Sequence, residues 1–118
     1  MADNYTFNKL KTLLKKYEAE LKVLHDKEDN YYLNTPMSDT NKKTEFFGAV
    51  QIKKSYVAFH LMPLYYYPNL LDNISQGLKN HMQGKSCFNF KAIDDKLLKE
   101  LSDLIKNSFQ QYKSVKKI

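Results

Sequence analysis

The side chains best suited to chemistry in this sequence are one thiol and one imidazole. Cys87 lies in segment 86–91 and His60 in segment 56–64, and both segments alternate in the manner of β-strands. A cysteine nucleophile with a histidine base needs a lowered thiol pKa, supplied by a helix N-terminus or a neighbouring cation. A cysteine flanked by serine and phenylalanine in a strand is typically a small buried hydrophobe instead. A thiol enzyme using Cys87 and His60 is therefore an alternative rather than the leading hypothesis.

Two other patterns resemble functional motifs but have the wrong spacing. The Gly-Lys-Ser run at 84–86 resembles the end of a phosphate-binding loop, but Lys79 stands where that loop needs its first glycine. The histidine and acids at 25–29 could hold a hard cation loosely, but the acids lack the alternate spacing of a calcium loop. The sequence predicts no metal site and no cofactor.

Strand parity predicts a binding surface. Side chains alternate between the two faces of a sheet, so Val57, Phe59 and Leu61 share one face, which should pack against the long helices. The mixed aromatic, amide, imidazole and thiol side chains should share the other face, as in the lining of a pocket. The predicted ligand-binding residues are Phe47, Gln51, Tyr56, His60, Cys87 and Asn89. The alternative is that short helices near 69–82 cover this face and that His60 is hydrogen-bonded beneath them.

The apolar spacing predicts an α+β fold, in which an antiparallel sheet of about five strands is flanked by N- and C-terminal helices. We expect a helix at 5–19, a hairpin at 20–34, strands at 44–52 and 56–64 joined by a tight turn, short helices near 69–82, a strand at 86–91 and a final helix from Asp94 or Asp95. A single long first helix in place of the hairpin is the alternative, because its apolar positions also fit a coiled-coil seam.

Composition limits the possible classes of partner. The chain of 118 residues forms one domain, 1–118, and its net charge of +6 comes from 19 lysines without any arginine. Bidentate recognition of phosphate or guanine uses arginine, and four of the lysines fall in the last thirteen residues, which contain no acid. We therefore expect residues 113–118 to be a frayed basic tail, and we do not expect nucleic acid or membrane as a partner. The single cysteine, the absence of a signal peptide and the absence of a spanning segment predict a cytoplasmic protein.

Two stretches resemble the uncharacterised DUF1801 family, the YdhG-like domains. They are FFGAVQIKKSYVAFHLMPLYYY at 46–67 and MQGKSCFNFK at 82–91, followed by the final helix. The resemblance covers residues 5–112 and implies a frataxin-like α-β-α arrangement. One branch of the family is similar to intracellular iron chaperones, by analogy with the acidic ridge on the first helix of frataxin. Here the first helix carries mostly lysine, so no iron ligands are carried over.

The leading hypothesis is a non-enzymatic binding domain. It would present a sheet face or cleft around His60 to a small molecule or a protein partner. The first alternative is an intracellular iron-binding chaperone of frataxin type, and the second is the thiol enzyme.

Overall fold

The computed structural model describes residues 4–37 and 43–118. The helices are α1 (Asn4–Lys15), α2 (Pro63–Tyr66), α3 (Gln76–Lys79) and α4 (Asp95–Ser114), and the strands are β1 (Lys22–Lys27), β2 (Asn30–Asn34), β3 (Phe46–Ile52), β4 (Val57–Leu61) and β5 (Cys87–Phe90). Short 3-10 turns occupy Glu18–Glu20 and Pro68–Leu71. The strands form one antiparallel sheet in the order β1-β2-β3-β4-β5. The predicted fold class is confirmed, and the single long first helix is wrong because α1 ends at Lys15.

The two long helices form where the sequence places apolar residues on one helical face. In α1, Phe7, Leu10 and Leu14 are buried at steps of three and four residues. The α4 helix starts at a side-chain cap, in which the Asp94 carboxylate accepts a hydrogen bond from the backbone N–H of Leu97 at 2.8 Å. Because each helix has one apolar face, each must bury that face against the sheet.

The core lies between the sheet and the layer formed by α1 and α4. Val57, Phe59 and Leu61 of β4 are fully buried there, as strand parity predicted. Gly48 of β3 lies where α1 comes close, since a Cβ atom on it would be 3.5 Å from the Leu14 side chain. Burial of one such apolar side chain stabilises the fold by about 1.5–3 kcal/mol. The core therefore fixes which sheet face meets the helices.

The short helices lie beside α4. Contacts join α2, the 3-10 turn at Pro68–Leu71 and α3 to α4. The chain then returns along the outer edge of β5, where the backbone N–H of Asn89 donates to His81 O and that of Gln83 donates to Cys87 O. One edge of the sheet is thus partly paired, while all six residues of β1 at the other edge are exposed.

Residues 113–118, predicted to be frayed, contact the rest of the domain. Lys113 pairs with Glu20 at 2.9 Å and Lys117 pairs with Glu45 at 3.1 Å. After α4 the chain turns back, with Lys116 at φ +62° and the N–H of Lys117 donating to Tyr112 O. This is a Schellman motif, and the prediction missed it because lysine rather than glycine occupies the left-handed position.

Candidate functional site

The candidate site is the face of the sheet opposite α1 and α4, which we call the open face. In the described part of the chain no helix is packed on it, because α1 contacts β3 and β4 from the other side and the short helices contact α4. One register row crosses all five strands, and its side chains belong to the open face: His25, Tyr32, Ala49, His60 and Cys87. The next row adds Asn30, Gln51, Ala58 and Asn89. The alternative of a face covered by the short helices is therefore wrong.

The placement of Phe47 on this face is wrong. Leu33 pairs with Gly48 while the adjacent Asn34 pairs with Phe46, so β3 contains one extra residue at this point. Such a β-bulge changes the alternation of side chains. The Phe47 ring is fully buried against α4, with its centroid 6.1 Å from that of Phe109. Phe46 lies on the open face in its place.

Aromatic rings run across the open face from β1 to β4. The ring centroids are 5.7 Å apart for His25 and Tyr32, 4.6 Å for Tyr32 and Phe46, and 6.3 Å for Phe46 and His60. Tyr32 and Phe46 are partly buried and His25 is exposed. Sequence reasoning missed these three residues. The alternation of β2, with Tyr32 between two core residues, could have revealed Tyr32, but nothing in the sequence marks the bulge that turns Phe46 outward.

His60 and Cys87 are cross-strand neighbours on the open face, and both are partly buried. Burial raises the pKa of the Cys87 thiol, while the charge of Lys53 acts weakly in the opposite direction. Burial also lowers the pKa of His60, and Lys53 adds to that effect. Among the described residues the His60 ring has no hydrogen-bond partner, and the Cys87 thiol lies 3.7 Å from the Asn89 amide oxygen. This geometry holds a protonated thiol beside a neutral imidazole and does not activate a nucleophile.

Three other predicted residues also lie on the open face. Tyr56, Asn89 and Lys91 line a shallow cleft of about 370 Å³ together with the His81 ring. That ring lies 3.0 Å from the backbone oxygen of Asn89 through its Nδ1 atom. Gln51 donates from its amide to Asn30 Oδ1 at 3.2 Å. Five of the six predicted residues thus share one surface, and Phe47 is the exception.

The acids do not converge on a metal site. Over residues 4–37 and 43–118, no group of three or more histidine, cysteine or acidic side chains could hold a metal ion. The cluster at 25–29 is divided by strand parity, because His25 faces Tyr32 whereas Asp26 faces the helices. There Asp26 accepts a hydrogen bond from Lys11 at 2.6 Å, which lowers its pKa. No helix among the described residues is both long and apolar enough to cross a bilayer.

No family model, curated protein or solved structure matches the chain. The resemblance to YdhG-like domains therefore stays a prediction from the two quoted stretches. The candidate site is defined by its own geometry, as a partly exposed ring system on the helix-free side of a sheet.

Proposed function

We propose that this chain is a non-enzymatic binding domain and that the open face is its binding surface. The observation that carries the proposal is the row of rings from His25 to His60, left uncovered by the helices of the described chain. An antiparallel sheet with one solvated face normally exposes polar side chains there. Aromatic side chains on such a face are enriched in the core of binding interfaces.

The polar groups beside the rings support a recognition role. The amides of Gln51 and Asn89 and the Tyr56 hydroxyl offer both donors and acceptors next to apolar ring surface. Binding sites commonly combine apolar contact area with a few such polar groups. The face is therefore suited to a ligand with flat apolar parts and polar edges.

The two alternatives receive less support. A thiol enzyme needs a stabilised thiolate, whereas burial raises the pKa of Cys87. An iron chaperone needs convergent carboxylates, and α1 carries no acid between Asn4 and Lys15. We retain YdhG-like membership and a cytoplasmic location as proposals that rest on the sequence alone.

The proposal can be tested with the anionic aromatic dye 1-anilinonaphthalene-8-sulfonate, followed in ¹H–¹⁵N correlation spectra. The dye reports apolar surface that is open to solvent. We expect amide shifts concentrated at Tyr32, His60 and Asn89, because the dye can lie against the rings. Shifts centred on the exposed pair Tyr65 and Tyr66, or on α4, would refute the open face as the binding surface.

Two matched substitutions make the test specific. Phe46→Ala removes a ring from the open face and should weaken dye binding. Tyr65→Ala removes an exposed ring elsewhere and should leave it unchanged. Circular dichroism and a thermal melt establish that each variant is folded before the comparison is made.

A further inference from the structure

We infer that the ligand of the open face is a single-stranded nucleic acid, held by stacking of bases on its rings and by lysine contacts to phosphates. The inference rests on the proposed function, because it names the ligand class of that same surface. Single strands are bound elsewhere in this way, on basic surfaces that carry aromatic side chains for successive bases. An open antiparallel sheet with helices behind it is one fold that presents such rings.

Four lysines lie on or border the open face. Lys53 lines a cleft with Asn30 and Gln51, and Lys91 lines the cleft that contains Tyr56 and Asn89. By strand register Lys22 pairs with Asn34 and Lys27 pairs with Asn30, which places both on this side of the sheet at β1. None of the four has an ion-pair partner among residues 4–37 and 43–118.

The acidic residues lie mainly on the other side of the molecule. Ion pairs neutralise lysines of the helical layer and the C-terminal segment: Lys9–Asp95, Lys11–Asp26, Lys99–Asp103, Lys113–Glu20 and Lys117–Glu45. Glu28 and Asp29 are in the β1–β2 turn, and Asp29 borders the cleft that contains Lys53. The net charge of +6 is therefore distributed so that unpaired lysines surround the rings, with two acids at one end.

Rings and charges have a spacing that suits a strand of nucleotides. Neighbouring β-strands are about 4.8 Å apart, so rings on successive strands can contact successive bases of an extended chain. Tyr32 and Phe46 are in neighbouring strands, and His60 follows in the next. Paired bases in a duplex cannot reach these rings, because their faces are already stacked. The arrangement therefore favours single strands over duplexes.

The expectation against nucleic acid considered only the tail lysines and the lack of arginine. Two of those tail lysines, Lys113 and Lys117, are ion-paired in the structure, and the unpaired lysines at issue lie on the sheet. Lysine binds phosphate as a point charge, whereas arginine is the residue that reads guanine. We therefore expect binding with little sequence preference.

The experiment measures fluorescence anisotropy of a labelled oligothymidylate of about ten nucleotides, a length within the usual single-strand site size. Titrations run at roughly 50 and 150 mM salt, because phosphate contacts make affinity salt-dependent. A duplex of equal length and an acidic peptide serve as competitors. We expect the single strand to bind at least about tenfold more tightly than either competitor, since only it offers both free bases and phosphates.

Two double variants separate the open face from overall charge. Lys53→Gln with Lys91→Gln removes two lysines from the open face. Lys96→Gln with Lys106→Gln removes two exposed lysines from α4 and is the matched control. The first should reduce the slope of log affinity against log salt by about 1.4, or about 0.7 for each phosphate that lysine no longer neutralises. The control should leave affinity within about twofold, since lysines on α4 do not reach a strand bound on the open face.

Tyr32→Ala tests stacking. Loss of one stacked base should weaken binding at least about fivefold, while the salt slope stays unchanged because no charge is removed. If this variant does not fold, the lysine pair alone decides. No binding at the lower salt, equal weakening in both double variants, or an acidic peptide or duplex that binds as well as the single strand would each overturn the inference. Where the dye still maps to the open face in those cases, the proposed function stands and only the ligand class is wrong.

Discussion

At the scale of single residues, neighbours in β4 have opposite surroundings. Leu61 is fully buried against the helical layer, whereas the His60 ring lies on the open face and has no hydrogen-bond partner in the described chain. Truncation of each side chain should therefore have different consequences, because only one of them fills packed volume.

The first prediction compares Leu61→Ala with His60→Ala in urea-unfolding experiments. Leu61→Ala should reduce the free energy of unfolding by about 2–5 kcal/mol, as core truncations do. His60→Ala should cost no more than about 1 kcal/mol, because no buried partner is left unpaired. Equal costs for the two variants would mean that the His60 ring is packed, which contradicts an open face.

The second prediction concerns pH. Burial and the nearby Lys53 charge lower the pKa of His60 in the folded state below its ordinary value of 6.5. The unfolded chain therefore binds more protons than the folded chain in the window below pH 6.5. Stability should be unaffected by His60 above that value and should fall as the pH drops from 6.5 through the folded pKa.

Thermal melts between about pH 7.5 and 5 measure this decrease, since that range brackets histidine titration. The matched variant is His60→Asn, which keeps a polar side chain but cannot gain a proton. It should lose less stability on acidification than the parent chain. If both lose the same amount, His60 does not contribute to the pH dependence.

At the scale of elements, the ends of helices and strands are determined by a few backbone positions. In the Schellman motif after α4, Lys116 N–H donates to Lys113 O, and Lys116 itself adopts a left-handed conformation. For a residue with a Cβ atom this conformation costs about 1–2 kcal/mol, whereas glycine adopts it freely.

The third prediction is that Lys116→Gly stabilises the domain. Glycine removes the left-handed strain but loses about 0.5–1 kcal/mol through its greater freedom in the unfolded chain. The net gain in the free energy of unfolding should be roughly 0.5–1 kcal/mol. Lys116→Ala, which removes the same charge but keeps a Cβ atom, should change stability little. Destabilisation by the glycine variant in urea melts would contradict the motif.

At the scale of the whole molecule, one sheet carries a core on one side and the proposed binding surface on the other. The two ends of this sheet differ in protection. β1 has an exposed outer edge, whereas β5 is partly paired with the segment at 81–83. Both β3 and β4 are central and bury their inner side chains against the helices.

The fourth prediction is a gradient of amide hydrogen exchange across the sheet. Amides of β3 and β4 should exchange only on global unfolding, because each of these strands is paired on both sides. β1 should exchange fastest, and β5 should be intermediate although it is also a terminal strand. Exchange measured by NMR at residue resolution tests this order. Equal protection of β1 and β4 would show that another element covers that edge.

The sequence by itself determined the order of the elements and the two apolar helix faces. Local patterns are sufficient for these, since steps of three and four residues define helices and alternation defines strands. Alternation also placed Val57, Phe59 and Leu61 in the core and five of the six site residues on the other face.

Only the tertiary structure decided the rest of the site. The bulge in β3 exchanged the positions of Phe46 and Phe47, and it depends on the pairing of β3 with β2 rather than on residue types nearby. Whether the short helices cover the open face depends on α4, which lies far along the chain and contacts them instead. The ion pairs that leave lysine unpaired around the rings join residues distant in sequence, such as Lys11 with Asp26 and Glu45 with Lys117. Contacts of this kind depend on how the elements pack in space, which local sequence patterns do not specify.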